Sequence, residues 1–136
     1  MSDMTLLDDA ARAFLQKPLI ARMSVIDLNG YPHTVPVWFL LDGDDIVIIS
    51  WVETRKVSYI RVNPKGAVTI GGDTGDGAGY LIKGDFVIEP DPDDTWVKKL
   101  TYHYEPPDKA AQDVASWADL DIVVLRLKPS KVIKVA

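Results

Sequence analysis

The chain contains no cysteine. Disulfides, thiolate metal centres and thiol nucleophiles are therefore excluded. Histidine is nearly as scarce: His33 and His103 are the only two, too few for a histidine-rich metal site, and no metal is expected. No apolar run approaches the roughly 18 residues of a membrane span. The N-terminal stretch "MSDMTLLDDAARAFLQ" is acidic and amphipathic and lacks the pattern of a signal peptide, so a cytoplasmic location is expected. Positive charge is also in short supply. Fifteen Lys and Arg face twenty Asp and Glu, for a net charge of −5. That balance speaks against a general binder of nucleic-acid phosphates and against attraction to an anionic membrane surface.

What is present fits one domain spanning 1–136, with 47% hydrophobic residues to build its core. Residues 5–16 suit a short helix, with Leu6, Ala10, Ala13 and Phe14 near one face and Asp8 and Asp9 in its first turns. Leu19–Asp27 reads as a strand, Asn29-Gly30 as a hairpin turn, and His33–Leu41 as the return strand. "LDGDD" at 41–45 is a second turn before a strand over Ile46–Ser50. A helix over 54–62 follows, then strands at Ala67–Gly71 and Tyr80–Glu89. Gly84 interrupts the latter and points to a bulge or the close approach of another backbone. Helices are expected at Asp93–Tyr104 and after Pro106-Pro107, and two closing strands, Ile122–Leu127 and Val132–Val135, on either side of Pro129.

About seven strands joined mostly by tight turns make a mainly antiparallel sheet. "VPVWFLL" at 35–41 and "IVII" at 46–49 are apolar on both faces. One face then meets a core and the other meets something else. A closed or split barrel covered by helices or by a second subunit accounts for that pattern.

The predicted helix beginning "ETRKV" carries an electrostatic conflict. Thr54 is a good N-cap, yet Arg55 and Lys56 follow it, where the helix dipole is already positive. Two solvated surface cations are the ordinary explanation. The chemical alternative is an anion from outside the chain. A phosphate would accept from the free amides and Thr54, with Arg55 gripping by a fork and Lys56 adding a point charge. Other motifs carry less. "GGDTGDGAG" at 71–79 lacks a P-loop's Lys-Ser/Thr ending, and its aspartates would repel phosphate, so it reads as a hairpin loop. "DPDD" at 91–94 lacks EF-hand spacing and reads as helix-start charge. His33 has no neighbouring nucleophile and reads as a strand histidine. His103, between Tyr102 and Tyr104, reads as helix-end packing. Trp38, Trp51, Trp96 and Trp117 suit packing, and Trp38 and Trp51 lie near the "ETRKV" segment in sequence.

The order of these motifs is more specific than any one of them. "NGYPHTVPVWFLLDGDDIVIIS" followed by "ETRKVSYIRVNPKGAVTI" resembles the flavin- and deazaflavin-binding split-barrel family that includes pyridoxamine 5′-phosphate oxidase. The matching elements are Pro32–Phe39, Ser50, Thr54–Lys56 and Arg61–Pro64, and the likeness is best over roughly residues 12–89. It implies a six-stranded split β-barrel, Greek-key-like and mostly antiparallel, with a few short flanking helices. It also implies a homodimer with cofactors at the subunit interface. The backbone of Val35, Pro36, Val37 and Trp38 would meet the cofactor ring. Ser50, Thr54, Arg55 and Lys56 would hold its phosphate, and Trp51 would help cover the ring. The implied activity is an FMN-dependent oxidoreductase acting on a small molecule. The alternatives are an F420-dependent reductase on the same fold or a non-catalytic flavin-binding protein. The C-terminal "VVLRLKPSKVIKV" contains Arg126-Leu127 but not the full substrate-binding arrangement of pyridoxamine phosphate oxidase. The vitamin-B6 reaction is therefore not expected, and no catalytic residue is assigned.

Overall fold

The computed structural model describes residues 6–136. The expected acidic, leaderless character of residues 1–5, and the first residue of the predicted N-terminal helix, lie outside them.

Seven strands form one sheet in the order β2-β1-β5-β6-β7-β4-β3, and every pairing is antiparallel. They are β1 (Ala21–Ile26), β2 (Pro32–Val37), β3 (Leu40–Asp42), β4 (Asp45–Trp51), β5 (Lys65–Gly71), β6 (Gly79–Pro90) and β7 (Ile122–Lys134). The two edges, β2 and β3, are consecutive in the chain and separated only by Trp38 and Phe39. Three Cα steps reach at most about 11 Å. Six interstrand spacings in a flat sheet would hold those edges about 29 Å apart. The sheet must therefore curl until its edges approach, and because β2 and β3 do not pair with each other, the barrel is split. Six strands are long and the seventh, β3, has three residues, which reconciles the seven strands with the six of the resemblance.

The interior is filled by alternate residues of the strands: Ala21, Met23 and Val25 of β1, Ile46 and Ile48 of β4, Val68 and Ile70 of β5, and Leu125 and Leu127 of β7. Helix α1 (Asp9–Phe14) joins the same core. Its buried face is Leu7, Ala11, Phe14 and Leu15, whereas Leu6, Ala10 and Ala13 are exposed, which corrects the predicted face. Asp8 begins this helix by accepting from the Ala11 N–H at 2.8 Å, so the helical turn starts later than residue 5 and the apolar stripe is rotated.

A second, smaller cluster lies outside the barrel. Val47 and Val124 pack against Leu100 of α3 (Thr95–Tyr104), with Trp38, Leu40, Ile49, Trp96 and Tyr104 around them. It explains why "IVII" is apolar on both faces. Ile46 and Ile48 point inward, and Val47 points out under a helix. The Asp91 carboxylate accepts from the Trp96 and Val97 amides at 2.9 and 3.0 Å, as helix-start charge should. Helix α4 (Pro107–Ser116) follows directly.

Two strand assignments change. The predicted return strand 33–41 is broken at Trp38–Phe39. The Tyr104 hydroxyl accepts from the Phe39 N–H at 3.1 Å and donates to the Leu19 carbonyl at 2.6 Å, and Trp38 stacks on the Tyr104 ring. These contacts take the backbone out of the ladder. Burial pushes the Tyr104 phenol up to about 12, while the Phe39 N–H pulls the other way. The two predicted closing strands are one strand, β7. Lys83 pairs with Lys131 and Gly84 with Pro129, so Ser130 is an extra residue bulged from the ladder. A Cβ on Gly84 would stand 2.0 Å from the Lys128 carbonyl oxygen. The strand passes Pro129 without interruption because a glycine and a bulge face it.

Candidate functional site

A cleft of about 410 Å³ opens on the outside of the barrel and is lined by Ile20, Pro36, Val37, Trp38, Ile49, Ser50, Trp51 and Lys56. One wall comes from β1–β2 and the other from β4 and α2 (Arg55–Val62). Apolar groups dominate the β1–β2 wall. Polar groups gather where β4 hands over to α2.

That handover is built by ordinary helix rules with one departure. Val57 and Ile60 face the barrel core and anchor α2 there. The helix ends at Asn63, which is extended ahead of Pro64. Thr54 has the backbone of an N-cap, but its side chain does not cap the helix. Its hydroxyl lies 2.9 Å from the Ser50 hydroxyl, which donates to the Trp51 carbonyl at 2.9 Å. The first amides of α2 are thus left without a side-chain acceptor, and the first turn holds no acidic residue.

The two cations diverge. Lys56 is half-buried in the cleft wall, and desolvation holds its ammonium below the usual lysine range. Among the described residues it has no ion-pair partner. Arg55 is exposed and outside the cleft lining. Of the nine residues expected at a cofactor site, Pro36, Val37, Trp38, Ser50, Trp51 and Lys56 line this one cleft. Thr54 joins it through Ser50. Val35 pairs with Met23, a core residue, so its side chain belongs to the barrel interior. Its backbone still lies on an edge strand, where every other residue directs its N–H and C=O away from the sheet.

Trp38 is sandwiched on one side by Tyr104, with ring centroids 4.8 Å apart and planes within 6°. Trp51 is 49% exposed at the lip of the cleft. A smaller apolar hollow of about 140 Å³ adjoins it, lined by Ile49, Ser50, Trp51, Trp117 and Ile122. Ile20 and Ile49 were not foreseen as site residues. The available signal was Ile20, an apolar residue at an outward position of an otherwise polar alternation with Arg22 and Ser24. His33 stands edge-on to Tyr59 at 5.2 Å, and His103 edge-on to Tyr104 at 5.2 Å. Both are packing roles, outside the cleft.

The family model for pyridoxamine 5′-phosphate oxidase matches residues 7–136. The chain belongs to this family. No curated protein matches it in sequence. Among solved structures it is similar to an F420 reductase, at 22% identity and a TM-score of 0.75, over 93% of this chain and 98% of that one. It is also similar to a conserved hypothetical protein from Mycobacterium tuberculosis, at 17% identity and a TM-score of 0.75, over 98% and 87% of the two chains. General stress protein 26 from Bacillus anthracis matches at 16% identity and a TM-score of 0.68, over 90% and 88%. Identities this low establish the shared fold. No helix among the described residues is long and apolar enough to cross a membrane.

Proposed function

We propose that this family member is an FMN-dependent oxidoreductase that works as a homodimer on a small-molecule substrate. The observation that carries the reading is Lys56: a half-buried ammonium with no carboxylate partner among the described residues, beside the Ser50–Thr54 hydroxyl pair and an uncapped helix start. A phosphate fits this donor set. It would restore to Lys56 the solvation that burial removes and would accept from the α2 amides and the hydroxyls. FMN, when bound, supplies hydride exchange with a substrate. The chain's part is to bind, orient and exclude water. Lys56, Ser50 and Thr54 hold the phosphate, with Arg55 as an outer charge. The free edge of β2 at Val35–Trp38 offers amides and carbonyls to the ring, and Ile20, Pro36, Val37 and Ile49 provide a dry wall. Trp51, exposed at the lip, suits contact with a ring or a second subunit.

F420 is the second reading, favoured by the likeness to an F420 reductase. One feature weighs against it. The hollow beyond Trp51 is lined by Glu53, Asp119 and Asp121, with no basic residue, and would repel a polyglutamate tail leaving the phosphate end.

The visible absorption spectrum of the purified protein, followed by FMN and F420 titrations, tests the proposal. Retained or tight-binding FMN is expected. Tight F420 binding without FMN binding replaces it with the deazaflavin reading. A bound flavin that no nicotinamide or deazaflavin donor reduces replaces it with a non-catalytic binding protein. The double variant Arg55→Ala/Lys56→Ala is expected to keep the fold and lose at least about tenfold in FMN affinity, the scale of one charge-assisted hydrogen bond. Unchanged affinity removes the phosphate site.

A further inference from the structure

Outside the described lining, a second cation stands next to the cleft. Arg22 pairs across β1–β2 with Pro36, and Pro36 lines the cleft. Directly opposed residues share a face, with Cβ atoms about 5 Å apart. Two positions along the same strand direction lies Ile20, also a cleft residue. Two positions the other way, Ser24 and its partner Thr34 touch on this outer face, their hydroxyls 2.8 Å apart. Ala21 and Met23, between these positions, are buried in the barrel. Arg22 therefore projects outward on the β1–β2 wall, beside the cleft residue Pro36.

Its only ion pair among the described residues is with Asp73, at 3.7 Å, with side chains 52% and 68% exposed. Such a pair contributes little. Asp73 lies in the loop between β5 and β6, where Gly72, Gly75 and Gly77 all take positive φ. We propose that Arg22 is the recognition point for a carboxylate on the substrate, and that Asp73 occupies the guanidinium when no substrate does. The assignment rests on the cofactor reading only for what fills the floor of the cleft. An acid entering at the rim beside Pro36, above whatever fills the cleft floor, would place its carboxylate in the Arg22 fork, while the Lys56 corner holds the phosphate. The substrate class is then a small carboxylic acid, for which benzoate is the probe.

The test compares benzoate with benzamide, read by the fluorescence of the cleft tryptophans. It uses protein saturated with FMN or, if FMN does not bind, with inorganic phosphate to fill the Lys56 corner, so the assignment is tested whichever way the cofactor reading falls. Wild type is expected to bind benzoate about tenfold more tightly than benzamide, one charge-assisted contact. Arg22→Gln should erase that preference and leave benzamide and FMN affinity unchanged. Arg22→Lys should restore part of it, and Asp73→Asn should strengthen benzoate binding two- to threefold. The assignment is overturned by a wild type without preference, by an Arg22→Gln variant that keeps it, or by equal loss of both probes, which would indicate packing alone.

Discussion

Lys56 and Arg126 are both basic side chains drawn from water into the protein, and the structure treats them in opposite ways. Arg126 projects from β7 onto the outer face of the sheet with 12% of its side chain exposed. Its Nε donates to Glu89 at 2.9 Å, and its Nη1 reaches Asp42 at 2.8 Å and Asp45 at 3.2 Å. The guanidinium also lies 5.9 Å from the centre of the Trp96 ring. Lys56 has none of this. A cation matched by its own chain holds the fold together, whereas the proposed phosphate site rests on a cation in a cleft with no ion-pair partner among the described residues. The contrast also shows that Arg126 is committed to carboxylates of the chain, so its Arg-Leu dipeptide has no free fork for a substrate.

Each side of that contrast can be broken separately. The largest effect is expected at the matched cation. Arg126→Met should cost up to about 3 kcal/mol of stability, the upper scale for hydrogen bonds between charged groups whose carboxylates keep partial access to water. FMN affinity of the folded fraction should not change. Chemical denaturation and flavin titration read the two quantities, and a change in affinity at unchanged stability would reverse the assignment.

Lys56→Ala comes next. It should weaken FMN binding by about 2 kcal/mol, roughly thirtyfold, as for a lost hydrogen bond to a charged group. Arg55→Ala, at an exposed site, should cost less than about threefold. Equal effects would mean that both cations share the phosphate. The same residue sets a pH dependence. Because the folded-state pKa of Lys56 lies below its unfolded value, the unfolded chain binds more protons between the two. Apo-protein stability should therefore gain from Lys56 as pH rises through that window, while FMN affinity falls. Paired titrations of wild type and Lys56→Met, which should show neither trend, check the sign.

An effect smaller than that at Lys56 is expected at Tyr104. Removing its hydroxyl in Tyr104→Phe leaves the Phe39 N–H and the Leu19 carbonyl unpaired, at a cost of about 1–2 kcal/mol. Leu19 and Phe39 flank Ile20 and Trp38, so FMN affinity should fall slightly as well. A melting curve unchanged from wild type would show that water replaces the hydroxyl.

Much of the fold was legible because its signals are local. The Asn29-Gly30 and "LDGDD" turns, the alternation in β1, and the Thr54 start and Pro64 stop of α2 depend on neighbours within a few residues. In the first turn Gly30 alone takes positive φ, and the Asp27 carboxylate accepts from the Asn29 and Tyr31 amides, so it is longer than a two-residue hairpin. The errors came where partners are remote. Pro129 looked like a strand break because its partner Gly84 lies 45 positions away along the chain. The strand through Trp38 looked continuous because nothing nearby in sequence announces the Tyr104 hydroxyl, which reaches Phe39 across 65 residues. The cleft was legible as two motifs, "VPVW" and "S-W-V-E-T-R-K", but not as one surface. Ile20 and Ile49 were missed because only the folded sheet brings them to one cleft with Pro36 and Ser50.

By itself, then, the sequence determined the alphabet of strands and helices, the acidic balance, the lack of cysteine, and the family. Tertiary structure decided which charges are satisfied. Arg126 meets Asp42 across 84 residues of chain, while Lys56, one residue after Arg55, is turned into a cleft without an acid. Periodicity is a property of neighbours and can be read along the chain. Charge compensation is a property of packed surfaces, and only the curled sheet brings those surfaces together.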